Sequence, residues 1–183
     1  MNAGPELHVD MLVHEPTAQP VRFSYTSYMY EPFSATLMGT ELTDNKHHVN
    51  LAIPINAEEC MRIQSYLMCL VGSAAYNYKD LVLALGMLGH GTFMNTMCQD
   101  VDGSDPSKIK QVYCSQAAVL MMRNCLSADS NASLLKVING MNSRDVTPHK
   151  LFETVKPYGK QCSGESLLTE TLDFGTPQGM QNR

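Results

Sequence analysis

Cys114 stands where a thiol could do chemistry. Residues 108–126 read KIKQVYCSQAAVLMMRNCL. A basic, β-branched lead-in gives way at Cys114-Ser115-Gln116 to a run of mostly good helix formers. The pattern predicts a helix that begins at Cys114. At such a start the backbone N–H groups and the positive end of the helix dipole favour an anion, so a thiol is biased toward thiolate, its nucleophilic form. The same N–H groups could hold a developing oxyanion. The competing reading is a small buried hydrophobe, the usual fate of a free cysteine. The rest of the chain has to decide between them.

Other chemistry-bearing residues give weaker patterns. The six cysteines stand at 60, 69, 98, 114, 125 and 162, with no Cys-x-x-Cys and no Cys/His spacing of a structural zinc site. Five of them read as packing or incidental. His47 and His48 are adjacent but have no third ligand at usable spacing, and His90 is flanked by glycines, so all three read as loop residues. The acidic stretch DVDGSDPS (residues 100–107) fails as a calcium loop, because Gln111 stands where the closing glutamate would be. No metal and no cofactor is expected. Asn131-Ala132-Ser133 matches a glycosylation acceptor, which carries little weight without a secretion signal.

Composition narrows the class. A chain of 183 residues, 44% hydrophobic, is long enough for one domain with a real core. Its formal charge of -5 and the lack of a dense Lys/Arg cluster argue against nucleic acid or an anionic membrane as partner. MNAGPELHVDMLVHEP shows no basic region leading into an apolar one, and no apolar run reaches the length of a membrane span. The expected setting is cytoplasmic and reducing.

The elements that must position Cys114 follow from local pattern. Residues 7–13 (LHVDMLV) alternate, with Leu7, Val9, Met11 and Val13 on one face and His8, Asp10 and Leu12 on the other. Residues 21–29 (VRFSYTSYM) alternate again, with Val21, Phe23 and Tyr25 opposite Arg22, Ser24 and Thr26, and should pair antiparallel with the first strand. Residues 33–42 read as an irregular or short extended connection. Residues 49–55 (VNLAIPI) read as a third strand, shortened or kept at an edge by Pro54. Asn56 caps a helix over 57–71, whose apolar stripe is Cys60, Ile63, Leu67 and Leu70 and which Gly72 ends. A short helix is expected over 132–138, closed by Gly140, and another over 148–155, with Thr147 as cap and Pro148 at the first position. Residues 1–157 form the expected domain, and 158–183 a polar, flexible tail.

In this order the features resemble a known family. A His-led strand, a second strand, a Pro-terminated third strand, a helix followed by Gly-x-x-x-Tyr-Asn-Tyr, the Tyr113-Cys114-Ser115 helix start and Thr147-Pro148-His149-Lys150-Leu151 together look like circularly permuted NlpC-type papain-like cysteine hydrolases. The superfamily includes lecithin:retinol acyltransferase-like proteins. The resemblance covers residues 7–155 and implies an α+β, permuted papain-like fold, in which a small antiparallel sheet packs against the nucleophile-bearing helix and further helices. It implies Cys114 as nucleophile and His8 as general base, acting on an amide, ester or thioester carbonyl through an acyl-cysteine intermediate. The imidazole-orienting residue departs from the family pattern. Ser24 is the positional candidate and Asp10 the chemical one. Tyr76, Tyr78 and Tyr113 would border the substrate cleft or pack against the sheet. The implied partner is a peptide, isopeptide or lipid acyl substrate. Permuted relatives occur in bacteria and in large DNA viruses, which admits a viral protein acting in the host cell. The alternative is a papain-like domain that has kept its fold for binding or scaffolding without turnover.

Overall fold

In the computed structural model the described residues are 9, 11–14, 22–26, 32–38, 50–86 and 99–162. They form a mixed α+β fold in which strands come first and helices dominate the remainder. Strands β1 (Met11–His14) and β2 (Arg22–Thr26) pair antiparallel as expected, with Val13 opposite Phe23. Met11, Val13 and Tyr25 are buried and Val9 is half-buried, as a period of two requires of a sheet with one face in the core.

Residues 33–42, expected as a connection, instead contain β3 (Ser34–Met38). It pairs antiparallel with β2, Ala35 opposite Tyr25, and completes a three-stranded sheet. The alternation of Phe33, Ala35 and Leu37 with Ser34 and Thr36 carried a signal. Between Glu31-Pro32 and Gly39 it was too short to be separated from a turn without its partner strand.

The strand expected over 49–55 is also present, as β4 (Asn50–Ala52), but it does not join that sheet. It pairs antiparallel with β7 (Lys160–Cys162), Leu51 opposite Gln161. Residues 160–162, expected in the tail, therefore belong to the folded part.

Asn56 begins α1 (Ala57–Leu70) with a capping box. Its side chain accepts from the Glu59 N–H (2.8 Å), and the Glu59 carboxylate accepts from the Asn56 N–H (2.8 Å). Cys60, Ile63, Leu67 and Leu70 are buried, joined by Tyr66. Gly72 at φ +71° ends the helix in the left-handed region that favours glycine. Its N–H donates to the Phe33 carbonyl (2.9 Å), and the Phe33 N–H donates to Ala74 (2.8 Å), so the sheet is tied to the end of α1.

Among the described residues four further α-helices follow: α2 (Tyr78–Gly86), α3 (Cys114–Cys125), α4 (Ala128–Asn139) and α5 (Pro148–Val155). Every residue from Val112 to Leu120 is buried, because α1, α4 and α5 all pack on α3. A single apolar cluster joins Met11, Val13, Tyr25 and Phe33 to the inner faces of α1 and α3. Helix α4 starts at Ala128 rather than at residue 132. A non-helical Asn131 (φ -132°, ψ 31°) kinks it, which hides the first turn from a periodicity argument. Gly140 closes α4, and Thr147 caps α5 by accepting from the Lys150 N–H (3.2 Å), both as expected.

Polar ties between helices do much of the aligning. Glu59 Oε1 also accepts from the Ser127 N–H (2.7 Å), the Ser130 hydroxyl (2.5 Å) and the Asn131 amide (3.4 Å), which locks the start of α1 to the start of α4. Asn131 donates to the Pro54 carbonyl as well (3.2 Å) and is buried, so the glycosylation-like triplet has no accessible acceptor amide. Tyr66 Oη donates to the Gly103 carbonyl (2.8 Å). A Cβ on Gly103 would stand 2.9 Å from Tyr66 Oη, Leu120 and Asn124, so the acidic turn over 100–107 is shaped by close packing on α1 and α3.

Arg123 bridges in the same way. It donates to Asp100 Oδ2 (2.7 Å) and to the carbonyls of Ile138 (3.3 Å) and Met141 (2.7 Å) at the end of α4. Burial alone would push the Asp100 carboxyl up, but bonds from Ser143 and Arg123 outweigh it and hold it below the usual carboxylate range. The stabilisation from a depressed carboxyl is present above its unfolded pKa and is lost as pH falls through the folded value. Arg123→Ala should cost about 2 kcal/mol in urea unfolding at neutral pH. The cost should shrink in acid, once Asp100 is protonated.

Candidate functional site

The site is organised by a parallel pair too short to read from sequence. Strands β5 (Ala75–Tyr76) and β6 (Gln111–Val112) align Tyr76 with Val112, through Ala75 N–H to Lys110 C=O (2.8 Å) and Asn77 N–H to Val112 C=O (3.1 Å). Parallel strands run the same way, so the helices that follow them start at the same edge. Helix α2 begins at Tyr78 and α3 at Cys114, which sets two positive helix ends side by side.

Cys114 is the first residue of α3, where the sequence put it. It is 1% exposed. The preceding Tyr113 is extended (φ -110°, ψ 166°), and its side chain does not cap the helix. Tyr76 pairs with Val112, two residues ahead of Cys114, and its hydroxyl feels the Cys114 thiol electrostatically. Burial first, then the neighbouring Cys114 and Tyr78, push the Tyr76 hydroxyl up to about 12. At neutral pH it is therefore protonated and can donate a hydrogen bond. Tyr78 is exposed at the first position of α2. Tyr113 is completely buried, and its hydroxyl donates to the Ser143 carbonyl (3.0 Å), which ties the residue before Cys114 to the turn over 143–145. The paired strands thus place Tyr76 and Tyr78 on the segment leading into α2 and Tyr113 and Cys114 on the one leading into α3.

His8 and Asp10 lie outside the described residues. Ser24 is in the middle of β2, opposite Leu12 on one side and Thr36 on the other; its side chain is outside the description. His90 and Cys98 are also outside it. His149 is the second residue of α5, half-buried.

Several residues at the site were not singled out from the sequence. Asn77 and Asp80 form a buried box at the start of α2: the Asn77 amide donates to Asp80 Oδ2 (2.7 Å), and the Asp80 N–H donates to Asn77 Oδ1 (3.1 Å). Asn followed by Asp at the third position, ahead of an apolar run, was the available signal. Arg144 approaches the same carboxylate (3.7 Å). Ser115 and Gln116 are completely buried. The Ser115 hydroxyl donates to the Val146 carbonyl (2.5 Å), whereas the Gln116 amide has no partner among the described residues. Two polar residues ahead of the apolar run from Ala117 to Met122 were the available signal.

Among the described residues, Cys60, Cys69, Cys114 and Cys125 take part in no disulfide. Burial pushes the Cys125 thiol up to about 11, with Arg62 acting more weakly the other way. Iodoacetamide at neutral pH should therefore leave Cys125 unmodified in the native protein, as peptide mass mapping would read, while exposed Cys69 reacts at an ordinary thiol's rate. No group of three His, Cys, Asp or Glu side chains able to hold a metal occurs among the described residues. No described helix is long and apolar enough to cross a membrane. The chain matches no family model, no curated protein and no solved structure.

Proposed function

We propose that this chain is a cysteine hydrolase or acyltransferase of the permuted papain-like, NlpC type, with Cys114 as nucleophile and His8 as general base. The observation that carries the reading is Cys114 at the first position of α3, with no side-chain cap at that helix start and Tyr76 on the parallel strand paired two residues ahead of it. In the proposed reaction the Cys114 sulfur attacks the carbonyl carbon of an amide, ester or thioester, and His8 takes the thiol proton. The backbone N–H groups of the first turn of α3 and the Tyr76 hydroxyl stabilise the oxyanion. The C–N, C–O or C–S bond then breaks, and His8 returns the proton to the leaving group. Water or another acceptor, deprotonated by His8, attacks the acyl-cysteine and releases the thiol. Asp10 or Ser24 would orient the imidazole, and Tyr78, exposed at the start of α2, would meet the substrate. A peptide, isopeptide or lipid acyl chain is the substrate class this chemistry admits.

One observation favours a second reading. Cys114 is 1% exposed, which suits a structural thiol in a papain-like domain kept for binding or scaffolding.

Alkylation decides between them. Iodoacetamide should modify Cys114 selectively at a pH well below the free-thiol pKa of ~8.5, and His8→Ala should abolish that selectivity. If Cys114 reacts no faster than Cys69 throughout, the enzyme reading is wrong and the binding reading stands.

A further inference from the structure

We infer that Tyr113 and Ser115 are positioning residues that fix Cys114 from both sides through one turn, the 3-10 segment Ser143–Asp145 and the adjoining Val146. The inference rests on the proposed role of Cys114 as nucleophile. The residue before the thiol donates its hydroxyl to the Ser143 carbonyl (3.0 Å), and the residue after it donates to the Val146 carbonyl (2.5 Å). All four groups belong to buried residues, so neither bond competes with water.

The turn is itself held. Asp100 Oδ1 accepts from both the Ser143 N–H (2.9 Å) and the Ser143 hydroxyl (2.6 Å), and Asp100 is paired with Arg123 of α3. Asn142 starts the turn by accepting from the Arg144 N–H (3.0 Å). Cys114 is thus bracketed by two bonds to a segment anchored in the same helix that carries it.

The direction of these hydroxyls separates positioning from ordinary helix capping. A serine in the first turn commonly turns back to bond its own backbone, and an N-cap side chain accepts from the N–H groups of that turn. Here both hydroxyls point away from the helix start, to carbonyls about thirty residues further along the chain. Helix α1 spends the Asn56 side chain on its own first-turn N–H groups and α5 spends Thr147, whereas α3 leaves its start without a side-chain cap. What the two bonds secure is the placement of Cys114 against an uncapped, positive helix end.

The test is the pH dependence of Cys114 alkylation in the full chain, for Tyr113→Phe, Ser115→Ala, the double variant and the hydroxyl-retaining Ser115→Thr. Tyr113→Phe and Ser115→Ala each remove one hydroxyl and keep the local volume close, so the fold should persist. The expected result is a Cys114 alkylation rate at neutral pH lowered about tenfold in the double variant, because the sulfur is no longer held in place at the start of α3. Ser115→Thr should restore the profile, and Cys69 should react equally in all variants. If the unaltered chain shows selective Cys114 labelling and the double variant keeps the same pH profile, the bonds are purely structural and the positioning role is refuted, whatever happens to the melting temperature. If the unaltered chain shows no selective labelling, the nucleophile reading has failed, and the positioning role falls with it.

Discussion

On the proposed role of Cys114 as nucleophile, Cys114→Ala should reduce turnover of a responsive amide, ester or thioester substrate by at least ~10³-fold, because the acyl-enzyme route would be lost and only binding and oxyanion stabilisation would remain. The fold should survive. The thiol is buried, but its loss removes one sulfur atom from a helix start whose neighbours are held by Ser143 and Val146, a cost of about 1 kcal/mol. Cys114→Ser makes the sharper comparison. It keeps the volume, but a hydroxyl at this position is scarcely ionised, so activity should still fall by orders of magnitude. Cys69→Ser, on the exposed side of α1, should leave turnover unchanged. Equal rates for Cys114→Ala and the unaltered chain would remove Cys114 from the chemistry.

The largest loss of stability should come from Glu59→Ala, at about 3–5 kcal/mol, read as a fall in melting temperature of about 10 °C. Glu59 is completely buried, and both of its oxygens are used. Without them the Asn56 N–H at the start of α1 and the Ser127 N–H at the start of α4 lose their acceptor together, along with Ser130 and Asn131. Two helix starts are left with unpaired donors in the interior. Burial by itself would raise this carboxyl, but the bonds from Ser130, Ser127, Asn56 and Asn131 outweigh it and hold it below the usual range. A group depressed in this way contributes its full stability above the unfolded carboxyl value and loses it as pH falls through the folded one. The penalty of Glu59→Ala should therefore be largest at neutral pH and decline in acid. Glu59→Gln, which keeps one acceptor and removes the charge, should cost less and flatten the acid branch of the stability profile. A Glu59→Ala protein that melts within a degree or two of the unaltered chain would show that the α1–α4 lock carries little.

The sequence alone determined what depends on near neighbours in the chain. Asn56, Thr147 with Pro148, and Gly72 mark helix ends because capping and left-handed turns are settled within a few residues. The stripe from Cys60 to Leu70 and the alternation of Val9, Met11 and Val13 are periodicities of one element, so the buried faces could be named in advance. Cys114 at a helix start was legible for the same reason. The tertiary structure decided everything that joins distant segments. It made residues 34–38 a third strand by giving them β2 as partner, and it drew residues 160–162 back to β4. It aligned Tyr76 with Val112, two residues ahead of Cys114, through a parallel pair of two-residue strands, which have no period to detect. It turned Tyr113 and Ser115 toward Ser143 and Val146, and Glu59 toward Asn131, across separations of 30, 31 and 72 residues. Local propensity is blind to such pairs, because each exists only once burial of the shared core has closed the loop between its partners.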